Sequence, residues 1–338
     1  MKKSSAIFKL SALTLSAVLL FCACGKVDLT MSREEPSTTV TTTAPATTVP
    51  PETSAPPPED PLPDDDFVKS KAAICYNLTT GEIIYEKNAD EKIYPASLTK
   101  LLTALTAIDY TAPEYVYYVG SEIGLVEPDS SMAWLVEGTY INRNGILTAM
   151  LAPSGNDAAY VIAANVARKL YGEDLSDKEA ADYFGVLMND YAKRLGAENS
   201  NFTVPDGYHN DNHYTTARDM LQICIAAAES ETLCSITSDP EPVVYDEYGN
   251  YMSWKNGNRL LRDETLSYNA YGLKTGFTDE AGFCFAGLAE MDGTKIITLT
   301  FDNPLPAAYG DTKKLFDYGF GVYDEDFDYY FVPEEEEE

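Results

Sequence analysis

The chain is organised around residues 95–107, which read Pro95-Ala96-Ser97-Leu98-Thr99-Lys100-Leu101-Leu102-Thr103-Ala104-Leu105-Thr106-Ala107. From Leu101 onward, apolar side chains recur at helical spacing and predict a helix with one buried stripe. Pro95 stops any earlier helix from running in, so the predicted helix begins close to Ser97. Ser97 and Lys100 then project from the same face of its first turn. In that arrangement an amine can take the proton of a hydroxyl.

The composition argues against several kinds of function. With 338 residues the chain can bury a full core, in one large domain or two ordinary ones. Its net charge of −30, from 54 acidic against 24 basic residues, excludes an extended nucleic-acid surface. The only histidines are His209 and His213, which are too few for a convincing zinc site, and no metal or cofactor is expected. A Ser-His-Asp hydrolase would have to recruit one of that pair.

The first part of the chain is interpreted as an export signal and a linker. Residues 1–23 combine basic residues with an apolar run that is too short to span a bilayer comfortably. Ala23 before Cys24 matches a bacterial lipoprotein processing site, so Cys24 is predicted to carry a lipid on the outer face of the cytoplasmic membrane. An ordinary signal with incidental cysteines is the alternative. Residues 24–66 are rich in Thr, Pro and Ala and predict a disordered linker.

Residues 67–325 are predicted to form the folded domain, followed by an acidic tail at 326–338. The predicted strands lie at 72–77, 82–86, 281–289 and 295–301. Helical spacing is found at 146–150, 158–170, 178–195, 216–228 and 312–318. Strands at both ends around a helical insert predict an α+β fold, an α/β sandwich. Its antiparallel sheet is built from both chain ends, with a helical lobe beside it.

Four cysteines lie in this predicted domain: Cys75, Cys224, Cys234 and Cys284. An exported protein can form disulfides. A core of this size needs no covalent cross-link, so free buried thiols are the preferred interpretation.

Two further segments carry groups that suit the chemistry of the first. One is Ala152-Pro153-Ser154-Gly155-Asn156-Asp157-Ala158-Ala159, which places a hydroxyl and an amide two residues apart on a turn before a helix. The other is Tyr271-Gly272-Leu273-Lys274-Thr275-Gly276-Phe277, which places a cation, a hydroxyl and a glycine on a strand-like segment. Ser-x-x-Lys and Ser-x-Asn are common by themselves, whereas Lys-Thr-Gly is seldom expected by chance. The occurrence of all three in order and in suitable local structure is specific.

With these three motifs the chain resembles the serine-type D-alanyl-D-alanine carboxypeptidases. These are low-molecular-mass penicillin-binding proteins, peptidase family S11, of the DD-peptidase/β-lactamase superfamily. The resemblance covers about residues 72–318. Further similar segments lie at 79–88, 188–189, 195–196, 201–207, 215–220, 256–261 and 315–320.

The resemblance implies how the first two motifs act. Ser97 would be the nucleophile that forms an acyl-enzyme, and Lys100 would be its base. Lys100 can act only if its pKa is lowered by burial and by neighbouring positive charge, for which a helix N-terminus and Lys274 are expected. Ser154 would relay a proton to the leaving amine. Asn156 would hold the peptide amide of the substrate.

The third motif is implied to bind the carboxylate of the substrate, or that of a β-lactam. Its residues are Lys274, Thr275 and Gly276. The oxyanion hole would be formed by the backbone N–H groups of Ser97 and Phe277. The implied substrate is the peptidoglycan stem pentapeptide, from which the terminal D-alanine is removed, and β-lactam antibiotics would be covalent inhibitors.

Two alternatives and two departures from the family remain. A β-lactamase of the same fold would turn over nitrocefin without releasing D-alanine, and a non-catalytic cell-wall binding protein would not be acylated at all. Phe277 stands where the family often has histidine, and Ala308 or Tyr309 where it often has arginine. Carboxylate binding is then expected to rest on Lys274 and Thr275 alone, with slow turnover or shifted specificity.

Overall fold

The structure, a computed structural model, describes residues 66–304 and 307–330. Outside these residues lie the predicted signal, Cys24, all of the linker except residue 66, and residues 331–338 of the acidic tail. The strands are β1 Ala72–Asn77, β2 Glu82–Lys87, β3 Val116–Tyr118, β4 Tyr140–Asn142, β5 Val243–Tyr245, β6 Tyr251–Ser253, β7 Asn269–Thr278, β8 Gly282–Met291 and β9 Thr294–Asn303. The helices are α1 Thr99–Tyr110, α2 Arg143–Leu151, α3 Asn156–Tyr171, α4 Asp177–Arg194, α5 Ala217–Glu229, α6 Glu231–Thr237 and α7 Ala307–Gly319.

The main sheet is antiparallel and five-stranded, in the order β2-β1-β9-β8-β7. Its centre joins the two ends of the domain, because β1 pairs with β9 over its whole length and sets Ile74 opposite Leu299. The α+β fold with a sheet built from both chain ends is therefore confirmed. The order also leaves β7, which carries the third motif, at the edge of the sheet.

Both faces of the sheet are covered, so its central strands are nearly continuous apolar runs. Alternate residues of β1 separate the two layers: Ala72 and Ile74 join the core beneath the helical lobe, whereas Ala73 and Cys75 join the core beneath α7. β8 and β9 are connected at Asp292-Gly293, where both residues have positive φ, as in the tight turns that suit twisted hairpins.

The helical lobe is built around α1. The sequence predicted one buried stripe on this helix, but every residue from Thr99 to Ala107 is buried. The reason is that α1 packs against α2, α3, α4 and α5, and a helix surrounded in this way needs no polar face. Its threonines satisfy their hydroxyls internally, as Thr103 does by donating to the carbonyl of Pro205 at 2.6 Å.

The structure agrees with the remaining helix and strand predictions and adds short elements that the sequence analysis missed. These are α6, the hairpin of β3 with β4 and the hairpin of β5 with β6. The four cysteines of the domain are free, and Cys75, Cys224 and Cys284 are buried, as preferred from the sequence. Among the residues that the structure describes, no helix is both long and apolar enough to cross a membrane.

One buried carboxylate ties the start of the domain to α7. Asp311 accepts hydrogen bonds from the backbone N–H of Lys69 at 3.0 Å and from that of Ser70 at 2.7 Å. It also accepts from the hydroxyls of Ser70 and Tyr330. Asp311 therefore holds together the segment before β1, the closing helix and the last described residues.

Candidate active site

The segment Pro95 to Lys100 forms a short 3-10 helix, Ala96–Leu98, that leads directly into α1. Ala96 has a positive φ of 46°, which is a strained conformation for a residue with a side chain. Gly207 lies against this turn so closely that a Cβ on it would come within 1.9 Å of the Ala96 carbonyl oxygen. The turn that presents Ser97 is thus fixed by close backbone contact.

Lys100 is completely buried and donates to three oxygens. Its Nζ lies 2.8 Å from the Oγ of Ser97 and 2.8 Å from the Oδ1 of Asn156. The third acceptor is the backbone carbonyl of Asp206, at 2.7 Å. Lys100 therefore links the first motif to the second and points its amine at the hydroxyl of Ser97, as the sequence predicted.

The pKa of Lys100 is lowered to about 8. Burial is the cause, and it is opposed by the negative charges of Asp206 and Asp157. The sequence analysis expected the charge of Lys274 to contribute. The effect found is the converse one, since burial and the charge of Lys100 hold the pKa of Lys274 well below its usual value.

The second motif is held by the start of α3. Ser154 has a φ of 65°, a second strained position beside the site. Gly155 precedes the helix, and a Cβ on it would lie 2.6 Å from the carbonyl of Ala149, so no larger residue fits. The backbone N–H of Asn156 donates to the carbonyl of Ser131 at 2.8 Å. These contacts fix Ser154 and Asn156 against the helical lobe.

The third motif runs along the free edge of the sheet. A Cβ on Gly276 would lie 2.8 Å from the backbone nitrogen of Ser97, so β7 passes directly beside the nucleophile. Lys274 is 3% exposed and donates from its Nζ to the carbonyl of Thr275 at 2.7 Å. An edge strand leaves backbone N–H and C=O groups without a strand partner. The predicted oxyanion role of Phe277 requires such a group.

These elements surround a cleft of about 630 Å³. Of the predicted residues, those that line it are Ser97, Ser154, Asn156, Thr275, Gly276 and Phe277. Lys100 and Lys274 are buried. The structure thus brings all three motifs together at one cleft between the helical lobe and the sheet edge.

The two departures from the family both face this cleft. Phe277 is 50% exposed and packs on Phe283 with ring centroids 4.5 Å apart, which gives the cleft an aromatic wall where the family often has histidine. Ala308 and Tyr309 line the cleft from the start of α7 and bring no cation.

The histidines stand apart from the nucleophile. The imidazole of His213 is buried, with Nδ1 accepting from the backbone N–H of Thr203 at 3.0 Å and Nε2 lying 2.8 Å from the Oγ1 of Thr99. Burial lowers the pKa of His213 to about 3. His209 lines the cleft within 3.7 Å of a Glu280 carboxylate oxygen. Neither histidine hydrogen-bonds Ser97 within the described residues, and no cluster of metal-ligating side chains is found there.

Several polar residues in the cleft or directly behind it were not found from the sequence. Asp157 is fully buried and accepts from the backbone N–H groups of Ala133 and Leu135 at 2.9 and 3.0 Å. The hydroxyl of Tyr208 donates to Asp129 at 3.1 Å on the cleft wall. Arg259 also lines the cleft. Its position within the family-like segment 256–261 was the available signal.

Comparison with known proteins agrees with this arrangement. The family of D-alanyl-D-alanine carboxypeptidases, peptidase S11, matches residues 59–304. A D-alanyl-D-alanine carboxypeptidase of Bacillus subtilis (strain 168) is 27% identical over 260 residues, which cover 76% of this chain. The match covers 63% of that relative, so the chain spans less than two thirds of its length.

Two solved structures share the fold. The crystal structure of the Streptomyces K15 DD-transpeptidase has a TM-score of 0.68 at 27% identity and covers 75% of this chain and 98% of that one. The cefotaxime-bound crystal structure of penicillin-binding protein D2 from Listeria monocytogenes has a TM-score of 0.61 at 29% identity, with the same coverage. The chain therefore belongs to the S11 family of D-alanyl-D-alanine carboxypeptidases, as its three motifs predicted.

Proposed function

We propose that this protein is a serine D-Ala-D-Ala carboxypeptidase that acts on peptidoglycan stem pentapeptides outside the cytoplasm. The observation that carries the proposal is the hydrogen bond of 2.8 Å between the Nζ of Lys100 and the Oγ of Ser97. An amine with a pKa of about 8 is unprotonated often enough near neutral pH to act as a general base.

Acylation follows from this geometry. Lys100 takes the proton of Ser97 while Oγ attacks the carbonyl carbon between the two D-alanines. The developing oxyanion is stabilised by the backbone N–H groups of Ser97 and Phe277. Ser154 passes its proton to the leaving nitrogen and receives one from the protonated Lys100, the C–N bond breaks, and free D-alanine departs. Lys100 is then neutral again. An ester between Ser97 and the shortened peptide remains.

Deacylation uses the same groups in reverse order. Lys100 takes a proton from water, the resulting hydroxide attacks the ester carbonyl, and the bond to Ser97 breaks. The proton returns to the Oγ of Ser97, which restores the free enzyme. Asn156 is held by Lys100 through its Oδ1, so its amide N–H groups are the part that can bind the substrate backbone.

β-Lactam antibiotics acylate Ser97 in this proposal, because their strained amide and carboxylate present the same groups as D-Ala-D-Ala. The Listeria relative with this fold was solved in the cefotaxime-bound form. The third motif, with Lys274, Thr275 and Gly276, contributes to the binding of the carboxylate.

The protein is anchored through a lipid on Cys24, and residues 24–66 link that lipid to the domain at 67–325. The support is the sequence pattern at residues 1–24. Cys24→Ser is expected to move the protein from the membrane fraction to the soluble fraction, as measured by immunoblotting of fractionated cells. Retention of the variant in the membrane would contradict the anchor.

Release of D-alanine from diacetyl-Lys-D-Ala-D-Ala tests the proposed activity. Ser97→Ala and Lys100→Ala are each expected to lower kcat/KM by at least about a thousandfold. Labelled penicillin should attach to the wild type and not to Ser97→Ala. Equal activity in the three proteins would contradict the mechanism, and rapid nitrocefin turnover without D-alanine release would favour a β-lactamase. Failure of penicillin to attach would favour a non-catalytic binding protein.

A further inference from the structure

Arg259 stands out among the arginines that the structure describes. Arg168, Arg194 and Arg218 each form an ion pair with a carboxylate. Arg143 and Arg262 donate to backbone carbonyls. The guanidinium of Arg259 forms no ion pair or hydrogen bond with the described residues, although the chain carries a net charge of −30. Arg259 is exposed and lines the cleft, so its guanidinium is available to an anion that enters there.

The position of Arg259 is set by Tyr309. The hydroxyl of Tyr309 donates to the carbonyl of Gly257 at 3.0 Å and accepts from the backbone N–H of Arg259 at 3.3 Å. The guanidinium carbon of Arg259 lies over the ring of Tyr309, 5.9 Å from its centroid. Tyr309 is one of the two residues that stand where the family often has arginine, and it holds the backbone and side chain of Arg259.

This unit adjoins the third motif. A Cβ on Gly257 would lie 3.4 Å from the Oγ1 of Thr275, so the segment that carries Arg259 passes beside this hydroxyl. Thr275 is also paired with Phe285 across the sheet, and the ring of Phe285 meets that of Tyr309 edge to face at 5.3 Å. Thr275, Tyr309 and Arg259 therefore form one continuous wall of the cleft.

The other charges make Arg259 the strongest anion site in the cleft. Its remaining lining carries the carboxylates Asp129, Asp279 and Glu280, and no other lysine or arginine among the described residues lines it. Lys274 is buried and bonded to a backbone carbonyl, and its pKa is lowered. It is therefore less readily charged than an arginine. A guanidinium stays charged and can bind a carboxylate through two parallel hydrogen bonds.

We propose that Arg259 binds the terminal carboxylate of the D-Ala-D-Ala substrate, in place of the arginine that the family often carries at the position of Ala308 or Tyr309. The inference rests on the proposed carboxypeptidase function. It replaces the expectation that Lys274 and Thr275 bind this carboxylate alone. Arg259 is a specificity-determining residue, since it selects peptides that end in a free carboxylate.

Binding of two matched peptides tests this role without any chemistry. The peptides are diacetyl-Lys-D-Ala-D-Ala as the acid and as its C-terminal amide, and titration calorimetry on a Ser97→Ala background gives their Kd values. Arg259→Gln is expected to weaken binding of the acid about tenfold to a hundredfold and to change that of the amide less than about twofold. Arg259→Lys should retain only part of the preference for the acid. It keeps the positive charge but cannot form the two parallel hydrogen bonds of a guanidinium.

Arg262→Gln is the structural control. Arg262 donates to the carbonyls of Pro240 and Asn256, so its loss disturbs the loop and should weaken both peptides alike. A double variant, Arg259→Gln with Tyr309→Arg, moves the cation to a position where the family often has arginine. It should restore part of the preference for the acid. Equal weakening of acid and amide in Arg259→Gln, or no change in either, would overturn the role of Arg259.

The two proposals fail separately in this design. If the wild-type protein prefers the acid but releases no D-alanine, the proposed carboxypeptidase activity is contradicted and Arg259 remains a carboxylate site. A wild-type protein that releases D-alanine, with an acid preference that Arg259→Gln does not change, would remove the role of Arg259 alone. Binding of neither peptide would remove both.

Discussion

The pKa of Lys100 predicts how the rate depends on pH. Because Lys100 must lose its proton to act as a base, kcat/KM for the peptide should rise as the pH increases through about 8. The rate of penicillin attachment to Ser97 should rise over the same range, since it uses the same base. A pH–rate profile for both reactions measures this, and a flat profile from about pH 6 to about pH 10 would contradict the role of Lys100.

At the scale of single residues, a contact could be predicted from the sequence where both partners lie in the same motif. Ser97 and Lys100 share one helical turn, so their contact follows from helix geometry alone. Arg259 could not be found in this way, because its place beside Thr275 depends on a loop, an edge strand and α7 meeting in space. The catalytic and binding roles of all these groups stay predictions: Ser97, Lys100, Ser154, Asn156, Lys274, Thr275, Gly276 and Phe277.

Among the elements, β7 passes so close to the turn at Ser97 that residue 276 has no room for a side chain. Gly276→Ala places a methyl carbon only 2.8 Å from the backbone nitrogen of Ser97, so the strand or the turn must move aside. Since small displacements of reacting groups lower rates steeply, kcat/KM should fall about a hundredfold.

Gly124→Ala is the matched control, because a Cβ at that glycine meets nothing within 4 Å. Its kcat/KM and its thermal stability should equal those of the wild type. Wild-type activity in Gly276→Ala would mean that β7 does not press on the nucleophile as described.

Long elements were predictable because their patterns repeat several times. The strands β8 and β9, with ten residues each, and helices such as α4 were predicted within a few residues of their bounds. The three-residue strands β3 to β6 are too short to show a period, and they form because neighbouring segments hold them. The complete burial of α1 reflects its place among four other helices, which no local pattern reports.

At the scale of the whole molecule, Asp311 should decide how firmly the two ends of the domain stay together. Asp311→Ala leaves the buried N–H group of Ser70 and the partly buried one of Lys69 without an acceptor, so the free energy of unfolding should fall by about 3 kcal/mol. Urea denaturation measures the loss.

Asp182→Ala removes a carboxylate of the same kind from an exposed pair with Lys178, and should change stability by less than about 0.5 kcal/mol. Equal losses in the two variants would show that the buried contacts of Asp311 contribute no more than a surface ion pair.

The burial of Lys100 has a thermodynamic consequence for folding itself. Its pKa is about 8 in the folded protein against 10.5 for the ordinary side chain, so folding disfavours the protonated form by about 3 kcal/mol. A depressed lysine pKa means that the unfolded chain holds the extra proton between these two values. The penalty is therefore fully present below about pH 8 and disappears as the pH rises towards 10.5. At neutral pH this cost is offset by the other interactions of the fold. The lowered pKa of Lys100 is thus maintained by the stability of the surrounding core.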